Sequence, residues 1–237
     1  MPKKTLYTLF LKRVLDFVLS LLALIVLFPV ILALAMLVRL KLGSPVIFKQ
    51  PRPGKNEKVF NLYKFRTMTD ARDVDGSLLP DSERLTTFGK FVRSTSLDEL
   101  PSLINIIKGD MSIVGPRPLL IKDMVFMSDE QRERHLIRPG LTGLAQVSGR
   151  NNISWKNKLA YDMDYLKKES FFLDFKVVCR TFLKVVKRSD INRNGTDSDL
   201  DLGDYLLLAE EITKNDYDLR INEAVSLLKE IGNNKKV

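Results

Sequence analysis

An uncharged apolar run near the N-terminus constrains this chain more than any other feature. From Phe17 to Val38, 22 consecutive residues carry no charge, and only Ser20 and Pro29 interrupt the apolar pattern. About 20 such residues suffice for a helix to cross the hydrocarbon core of a bilayer. The run is too long for a secretory signal peptide, and no small-residue cleavage site follows it. It therefore predicts that the chain associates with a membrane.

Two membrane topologies fit this run. Basic residues flank it on both sides, Lys12 and Arg13 before it and Arg39 and Lys41 after it, so the positive-inside rule gives no orientation. Pro29 lies near the middle of the run, where it removes a backbone donor and kinks or breaks a helix. A re-entrant helix-break-helix hairpin with both ends in the cytoplasm and a kinked single span are about equally compatible with this pattern.

Composition narrows the partners. The chain has 237 residues, enough for one sizeable domain with a hydrophobic core. Its net charge of +9 favours an anionic partner, such as a membrane surface, a nucleic acid or a phosphorylated substrate. The single cysteine, Cys179, excludes an internal disulfide. The single histidine, His135, argues against a histidine-based zinc site and is expected to pack or cap locally.

A small β-hairpin is expected after the apolar run. Residues 46–50 and 58–65 are rich in β-branched and aromatic side chains, and the turn-rich loop 51–57 separates them. Lys64 and Arg66 close the second strand. On their own they would form a solvated basic edge.

An adjacent acidic pair, Asp98 and Glu99, lies where a helix is expected to begin. Leucine and isoleucine recur at helical spacing within residues 97–107, and Pro101 is tolerated only in a first turn. The pair therefore lies at or just before the helix start. Ser96 and Glu99 match a capping box, and on that match alone capping is the better interpretation. A helix N-terminus also favours phosphate, because its N–H groups are free.

Arginines and loops rich in proline and glycine lie near this pair in the sequence. Arg93 precedes it, and the prolines on either side of Arg117 restrict where that side chain points. In residues 138–143 and in Gly149-Arg150, glycines are expected to let the backbone approach a ligand, and arginines to bind phosphate as a fork. Together with the acidic pair, these residues indicate a site for a phosphate and a divalent cation.

The segment from Phe171 to Arg188 is expected to form an amphipathic helix. Its apolar side carries Phe171, Phe175, Val178, Phe182 and Val186, and its basic side carries Lys176, Arg180, Lys184 and Lys187. An aromatic apolar face opposite a basic face is typical of a helix in the membrane interface. A core helix with a solvated back is the alternative. Nucleic acid is not expected as a partner, because aromatic and basic residues do not alternate elsewhere in the chain.

The chain resembles the monotopic phosphoglycosyl transferases, bacterial enzymes that prime glycan assembly on a polyprenyl carrier. The matching blocks are Phe28-Pro29, Tyr63-Lys-Phe-Arg-Thr-Met68, Ser96-Leu-Asp-Glu-Leu-Pro101, Lys108-Gly-Asp-Met111, Gly115-Pro-Arg-Pro118, Arg138-Pro-Gly-Leu-Thr-Gly143 and Ser148-Gly-Arg150. The match runs from about Lys12 to about Arg188. The chain is similar to the small form of the family, which comprises only the catalytic domain.

The resemblance implies a two-step transfer. A nucleotide sugar, usually a UDP-sugar, gives its sugar-1-phosphate to the enzyme and releases UMP. Polyprenyl (undecaprenyl) phosphate then accepts the group and becomes a polyprenyl diphosphate sugar. By similarity, Asp98 is the nucleophile that forms an acyl-phosphate, and Glu99 is a second catalytic carboxylate and the ligand of Mg²⁺.

The resemblance also implies substrate-binding residues and a location. Lys64, Arg93 and Arg117 are expected to bind phosphate, and Arg150 to lie near the nucleotide–sugar pocket. The re-entrant hairpin, with its break at Phe28-Pro29, is favoured over the single span. The enzyme is then expected to be monotopic, among the lipids of the bacterial inner membrane on its cytoplasmic face, and to serve glycan or polysaccharide assembly.

The expected fold is α+β and mostly helical, with a membrane hairpin, a small β-hairpin and interfacial amphipathic helices. Its expected parts are the membrane hairpin (1–43), a cytosolic catalytic domain with interfacial helices (44–188), a linker (189–204) and a C-terminal helical extension (205–237). Two short amphipathic helices in the extension are expected to dock on the catalytic domain, bind a partner or mediate self-association. A second copy of the chain and downstream glycosyltransferases remain open as protein partners.

A function of another class is also compatible with the sequence. A catalytically silent, membrane-anchored scaffold would use the basic face of the chain to bind anionic lipid. The retention of Asp98 and Glu99 alongside Arg93 and Arg117 argues against silence.

Overall fold

The apolar N-terminal run forms one long helix. In a computed structural model that describes residues 3–149, 153–187 and 200–233, α1 spans Lys12–Leu42 and follows a π-helical turn at Tyr7–Leu11. Together they are long and apolar enough to cross a membrane. The helix continues through Pro29, so the structure does not confirm the predicted helix-break-helix hairpin with its break at Phe28-Pro29.

One face of α1 packs on the rest of the protein along the whole helix. The buried positions are Lys12, Asp16, Ser20, Leu34, Val38 and Leu42, and Ala23, Leu27, Ile31 and Ala35 are partly buried between them. Successive positions in this set are mostly three or four residues apart, the spacing of a single helix face. Most other large apolar side chains of α1 are exposed. The helix is thus attached to the same body near both of its ends.

Arg13 adds a polar attachment at the N-terminal end of α1. Its Nη1 donates to the carbonyl oxygen of Ile106 at 2.6 Å, and its Nη2 donates to that of Ile107 at 2.7 Å. Both carbonyls belong to the last turn of α4 (Ser102–Lys108), where a helix leaves carbonyl groups without partners and favours positive charge.

Ten further α-helices lie within the described residues. They are α2 (Asp81–Arg84), α3 (Thr87–Ser94), α4 (Ser102–Lys108), α5 (Ile121–Met124), α6 (Asp129–Arg132), α7 (Leu144–Gly149), α8 (Trp155–Lys168), α9 (Phe171–Lys187), α10 (Leu202–Leu208) and α11 (Lys214–Asn233). The prediction of a mostly helical protein with a small sheet is confirmed.

The strands pair in two small units. β1 (Ile47–Pro53) and β2 (Val59–Phe65) form the expected antiparallel hairpin. β1 extends three residues beyond the predicted strand and takes in the start of the segment that was predicted as a loop. β3 (Ser112–Val114) and β4 (Gly140–Thr142) form a parallel pair that the sequence did not predict.

Glycines allow β3 and β4 to approach closely. A Cβ on Gly140 would lie 2.1 Å from the backbone nitrogen of Gly115, and a Cβ on Gly143 would lie 2.1 Å from the carbonyl oxygen of Gly115. The expectation that the glycines of residues 138–143 admit a ligand is therefore wrong, because the chain's own backbone occupies that space.

The C-terminal extension docks on the part of the chain that precedes it. Leu202 of α10 and Ala224 of α11 are buried in a cluster with Phe126 and Trp155. The ring of Tyr217 lies 5.5 Å from that of Phe126, measured between centroids. Of the three roles that the sequence left open for this extension, docking is the one observed.

Polar contacts at the start of the extension reinforce the docking. Trp155 Nε1 donates to the carbonyl oxygen of Leu200 at 2.8 Å, and the backbone N–H of Leu202 donates to Asp123 Oδ1 at 3.0 Å. α10 begins at Leu202, so the end of the predicted linker is helical. Residues 189–199 of that linker lie outside the described residues.

Candidate active site

Asp98 and Glu99 lie in a short 3₁₀ turn, Leu97–Glu99, directly before α4. Pro101 occupies the N-cap position of α4, so the acidic pair lies just before the helix, as predicted. Ser96 has a left-handed backbone, with φ of 55°, and makes no side-chain capping hydrogen bond. The capping-box interpretation is therefore wrong, and the Glu99 side chain is directed elsewhere.

Two cations meet at the Glu99 carboxylate. Lys64 Nζ donates to Glu99 Oε1 at 2.8 Å and lies 3.6 Å from Asp98 Oδ2. Arg117 Nη2 donates to the same Glu99 oxygen at 3.0 Å. Lys64 comes from the end of β2, and Arg117 from the loop after β3. Three separate segments thus converge on one acidic pair, and we call Lys64, Asp98, Glu99 and Arg117 the dyad site.

Side-chain hydrogen bonds fix β2 against α4 and so place Lys64 beside the acidic pair. Asn105 of α4 is fully buried, and its Oδ1 accepts from the Tyr63 N–H at 3.0 Å while its Nδ2 donates to the Asn61 carbonyl at 2.8 Å. Ser102 Oγ donates to the Tyr63 carbonyl at 2.8 Å. These contacts satisfy the edge of β2 and leave Lys64, the next residue, facing Glu99.

The two carboxylates have opposite pKa shifts. Burial raises the pKa of Asp98 above its ordinary value, and the Lys64 ammonium opposes the rise. Burial also acts to raise the pKa of Glu99, but the charges of Lys64 and Arg117 outweigh it and lower the pKa to about 2. Glu99 is therefore ionised at neutral pH, whereas the ionisation of Asp98 depends on the cations around it.

Arg93 lines the same cleft as the dyad site. Its Nε donates to Thr67 Oγ1 at 2.9 Å, and its charge is among those that lower the pKa of Asp98. The cleft has a volume of about 2090 Å³. Apolar residues of α1 and α9 also line it, namely Ala23, Leu27, Val178, Phe182 and Val185. One cleft thus offers a charged site and apolar walls.

The apolar side of α9 is exposed next to α1. Phe171, Phe175 and Phe182 are exposed, and the ring of Phe171 lies 5.8 Å from that of Tyr7, between centroids. The opposite side of α9 packs inward through Val177. The predicted aromatic face therefore does not enter the core, which argues against the core-helix alternative.

The acidic pair suits a divalent cation when a substrate supplies further oxygens. Within the described part of the chain, no group of three or more acidic, histidine or cysteine side chains is placed to hold a metal ion. Mg²⁺ is commonly held by one or two carboxylates together with substrate phosphates and water. Asp98 and Glu99 provide such hard oxygen ligands, so they fit Mg²⁺ as a partial donor set.

Two further sequence predictions concern Arg150 and His135. Arg150 lies outside the described residues. His135 is buried between Arg134 and Glu57, and burial lowers its pKa to about 3, so it is neutral. The prediction that it packs locally is confirmed.

A second ion cluster was missed in the sequence. Lys12 Nζ lies 2.7 Å from Asp174 Oδ2 and 3.0 Å from Glu169 Oε1, and it donates to the Tyr165 hydroxyl at 2.6 Å. We call these four residues the Lys12 cluster. Lys12 had been interpreted only as a basic flank of the membrane run. No local pattern links it to Asp174, because 162 residues separate them.

Arg52 was also missed as a residue of the cleft. It had been placed in a loop, but it belongs to β1 and lines the cleft with Lys64. The available signal was strand alternation, which puts both residues on one face of the hairpin once β1 is extended to Pro53.

Comparison with known proteins places this geometry in a family. Residues 7–188 match the family described as bacterial sugar transferase. The chain belongs to this family. Membership confirms the resemblance seen in the sequence and makes the protein a transferase, which removes the silent scaffold as its main interpretation.

Several bacterial sugar transferases are similar over most of the chain. An uncharacterized sugar transferase from Bacillus subtilis, EpsL, is 50% identical over 183 residues, which cover 77% of this chain and 91% of EpsL. An undecaprenyl-phosphate galactose phosphotransferase from Salmonella typhimurium is 37% identical over 198 residues, covering 76% of this chain and 41% of that protein. An undecaprenyl-phosphate glucose phosphotransferase from Komagataeibacter xylinus is 36% identical over 201 residues, covering 77% and 36%. The chain therefore spans about two fifths of the two named phosphotransferases.

Proposed function

We propose that this sugar transferase moves a sugar-1-phosphate from a UDP-sugar to undecaprenyl phosphate and releases UMP. The observation that carries the proposal is the dyad site, a buried carboxyl flanked by cations, in a cleft that also has apolar walls. A nucleotide sugar needs cations around its phosphates, and a lipid phosphate needs apolar walls beside its chain, so the two substrates need both kinds of surface in one cleft. The names of the Salmonella and Komagataeibacter relatives support undecaprenyl phosphate as the acceptor.

Asp98 is the nucleophile in this proposal. An oxygen of its carboxylate attacks the phosphorus that bears the sugar, and the bond from that phosphorus to the bridging oxygen of UMP breaks. The lipid phosphate oxygen then attacks the same phosphorus, and the Asp98 carboxylate leaves. Neither step needs a general base, because the lipid phosphate is ionised near neutral pH and the cations around Asp98 favour its carboxylate form. The proposed mechanism therefore needs no histidine, and the neutral His135 does not line the cleft.

The cations around the acidic pair stabilise charge on the transferred group. Lys64 and Arg117 converge on Glu99, and phosphate oxygens that approach this point meet N–H donors already in place. Arg93 contributes positive charge from the same cleft. Bound Mg²⁺, held by Glu99 with help from Asp98, would neutralise the diphosphate further.

The membrane arrangement in this proposal is monotopic and on the cytoplasmic face. Both ends of α1 are attached to one body, Lys12 at one end and Leu42 at the other, which disfavours a helix that leaves the body to cross the bilayer. The exposed apolar faces of α1 and α9 then enter one leaflet together. Pro29 removes one backbone hydrogen bond and supplies the point where such a helix bends.

The decisive experiment separates the two chemical steps. The full chain in nanodiscs is given a panel of UDP-sugars with Mg²⁺ and no acceptor, and UMP and protein mass are measured. We expect about one UMP per enzyme with the correct donor, and a protein heavier by one sugar-phosphate. Addition of undecaprenyl phosphate then restores the original mass and starts turnover.

Two variants complete this experiment. Asp98→Asn should abolish both the UMP burst and the mass increase, while the exposed Asp129→Asn should change neither. Steady UMP release with an Asp98→Asn protein, or turnover with no covalent species at any time, would exclude the aspartyl intermediate.

A further inference from the structure

Arg52 and Lys64 project from the same face of the β-hairpin. The register pairs Phe48 with Lys64, Gln50 with Leu62 and Arg52 with Phe60. Side chains of directly opposed residues share a face, and alternate residues of a strand share it too. Phe48 lies directly opposite Lys64, and Arg52 lies four residues further along β1, about 13 Å away. Long side chains at these positions reach different parts of one cleft, and both line it.

The guanidinium of Arg52 has hydrogen-bond donors without partners. Its Nη2 donates to Gln50 Oε1 at 2.7 Å, whereas its Nε is buried and has no hydrogen-bond partner in the described part of the chain. Among the described residues, no carboxylate lies within 4.0 Å of it. Arg132 and Arg134 contrast with it, because Glu57 and Asp162 bind them through paired hydrogen bonds.

The charges near Arg52 leave it cationic and close to another cation. Burial lowers its pKa to about 10, and the charge of Arg117 acts in the same direction. The acidic groups Asp123, Asp201 and Glu99 act against this shift but make no ion pair with Arg52. Arg52, which has no ion pair among the described residues, shares the cleft with Arg117, and neighbouring guanidinium groups suit an anion with several oxygens.

We infer that Arg52 binds a second phosphate in the cleft, beyond the phosphate that the dyad site receives. The inference rests on the proposed function, which brings three phosphates into this cleft. The ligand is a phosphoryl group, either that of the departing nucleotide or that of the lipid acceptor. Arg52 is a positioning residue in this role, because the bond that breaks lies at the dyad site.

Binding without turnover tests the inference. The full chain in nanodiscs is titrated with UMP in one arm and with a short-chain polyprenyl phosphate in the other, for the native protein and Arg52→Gln. We expect one of the two dissociation constants to rise about 10- to 100-fold, the range for loss of a hydrogen-bonded charge contact. A change for UMP assigns the nucleotide phosphate, and a change for the lipid assigns the acceptor phosphate.

Two further variants separate binding from a structural role. Arg52→Lys keeps the charge but not the fork and should recover part of the affinity. Lys49→Gln removes a cation from the opposite face of the same strand and should change affinity less than twofold. Unchanged binding of both ligands by Arg52→Gln overturns the inference. An equal loss of affinity for both ligands in both Arg52 variants, together with a large fall in thermal stability, also overturns it, because that pattern indicates a structural role.

The titration also distinguishes this inference from the proposed function. If the native protein releases no UMP from any donor, the proposed transfer fails, and titration with inorganic pyrophosphate still tests Arg52. If the native protein is active and Arg52→Gln matches it in both affinities, the transfer stands and the role of Arg52 is refuted.

Discussion

The dyad site and the Lys12 cluster are built from the same kinds of group, yet their surroundings differ. In the dyad site the exposed fraction of the side chain is 12% for Asp98, 21% for Lys64 and 47% for Arg117. In the Lys12 cluster it is 10% for Lys12 and 5% for Glu169. Lys12 Nζ also has oxygen partners in Val114, Tyr165 and Asp174. One cluster opens into a cleft, and the other is closed on all sides.

The hydrogen bonding of the carboxylates differs in the same way. Asp174 accepts from Tyr7, Lys12 and Tyr165, each at 2.6 or 2.7 Å. Among the described residues no side chain donates a hydrogen bond to Asp98, whose nearest cation, Lys64, is 3.6 Å away. A carboxylate with both oxygens engaged stabilises a fold, whereas one that is buried and incompletely engaged stays available for reaction. The comparison predicts opposite outcomes when the two clusters are changed.

The largest effect is expected from Asp98→Asn. Transfer activity should fall by about 10³-fold or more, as for the loss of an enzymatic nucleophile. Thermal stability should stay the same or rise. A folded-state pKa above the ordinary value means that the charged form destabilises the fold above that pH, and the neutral amide removes this effect. UMP release and thermal unfolding, measured on the same preparation, check both parts.

The reverse pattern is expected from Lys12→Met. Removal of one partner from a buried ion cluster leaves Glu169 and Asp174 without compensation and should destabilise the protein by about 3–5 kcal/mol. Thermal unfolding in nanodiscs measures the loss, with the exposed Lys229→Met as the matched control. A Lys12→Met protein as stable as this control would show that the closed cluster contributes little to the fold.

A smaller effect is expected from Lys64→Gln, and it depends on pH. The Lys64 charge lowers the pKa of Asp98, so its loss raises that pKa. Reaction requires ionised Asp98, and activity is lost as the pH falls through its pKa. The acid limb of the pH–rate profile should therefore move to higher pH. Arg93→Gln should move it the same way by less. A limb that stays in place or moves to lower pH would contradict the coupling.

The smallest effect is expected from Tyr7→Phe. The Tyr7 hydroxyl donates to Asp174 Oδ2 at 2.6 Å, but Lys12 and Tyr165 still bind that carboxylate in the variant. The loss should be about 1 kcal/mol in the free energy of unfolding, with transfer activity unchanged. A loss as large as that of Lys12→Met would mean that the Lys12 cluster depends on the Tyr7 hydroxyl as much as on the Lys12 charge.

Local sequence patterns predicted the secondary structure around the site, namely the hairpin and the helix start. β-Branched and aromatic residues and the turn residues between them placed the β1–β2 hairpin, and the helical repeat around Pro101 placed Asp98 and Glu99 at a helix start. The same repeat could not say where Glu99 points. Its partners Lys64 and Arg117 come from other segments, so the capping box was as good an interpretation until the geometry was known.

The features that the sequence analysis did not predict depend on contacts between residues far apart in the chain. The Lys12–Asp174 contact joins residues 162 apart, and nothing near Lys12 distinguishes a buried lysine from a membrane flank. The glycines at 140 and 143 were expected to let the backbone approach a ligand, because a sequence does not show that the backbone of Gly115 fills the space. The docking of the extension depends likewise on Phe126 and Trp155, far from it in the chain.

The contact between Arg13 and α4 sets a distance as well as a stability. Arg13 holds the last turn of α4, and Asp98 lies just before its first turn, about 10 Å away for a seven-residue helix. In the proposed monotopic arrangement, α1 is inserted in the membrane, and α4 is a spacer of constant length between α1 and the reacting carboxylate. The proposed arrangement would keep Asp98 at one height above the acyl chains, where each lipid carrier presents its phosphate. The reaction is therefore expected to proceed equally well with short and long polyprenyl chains.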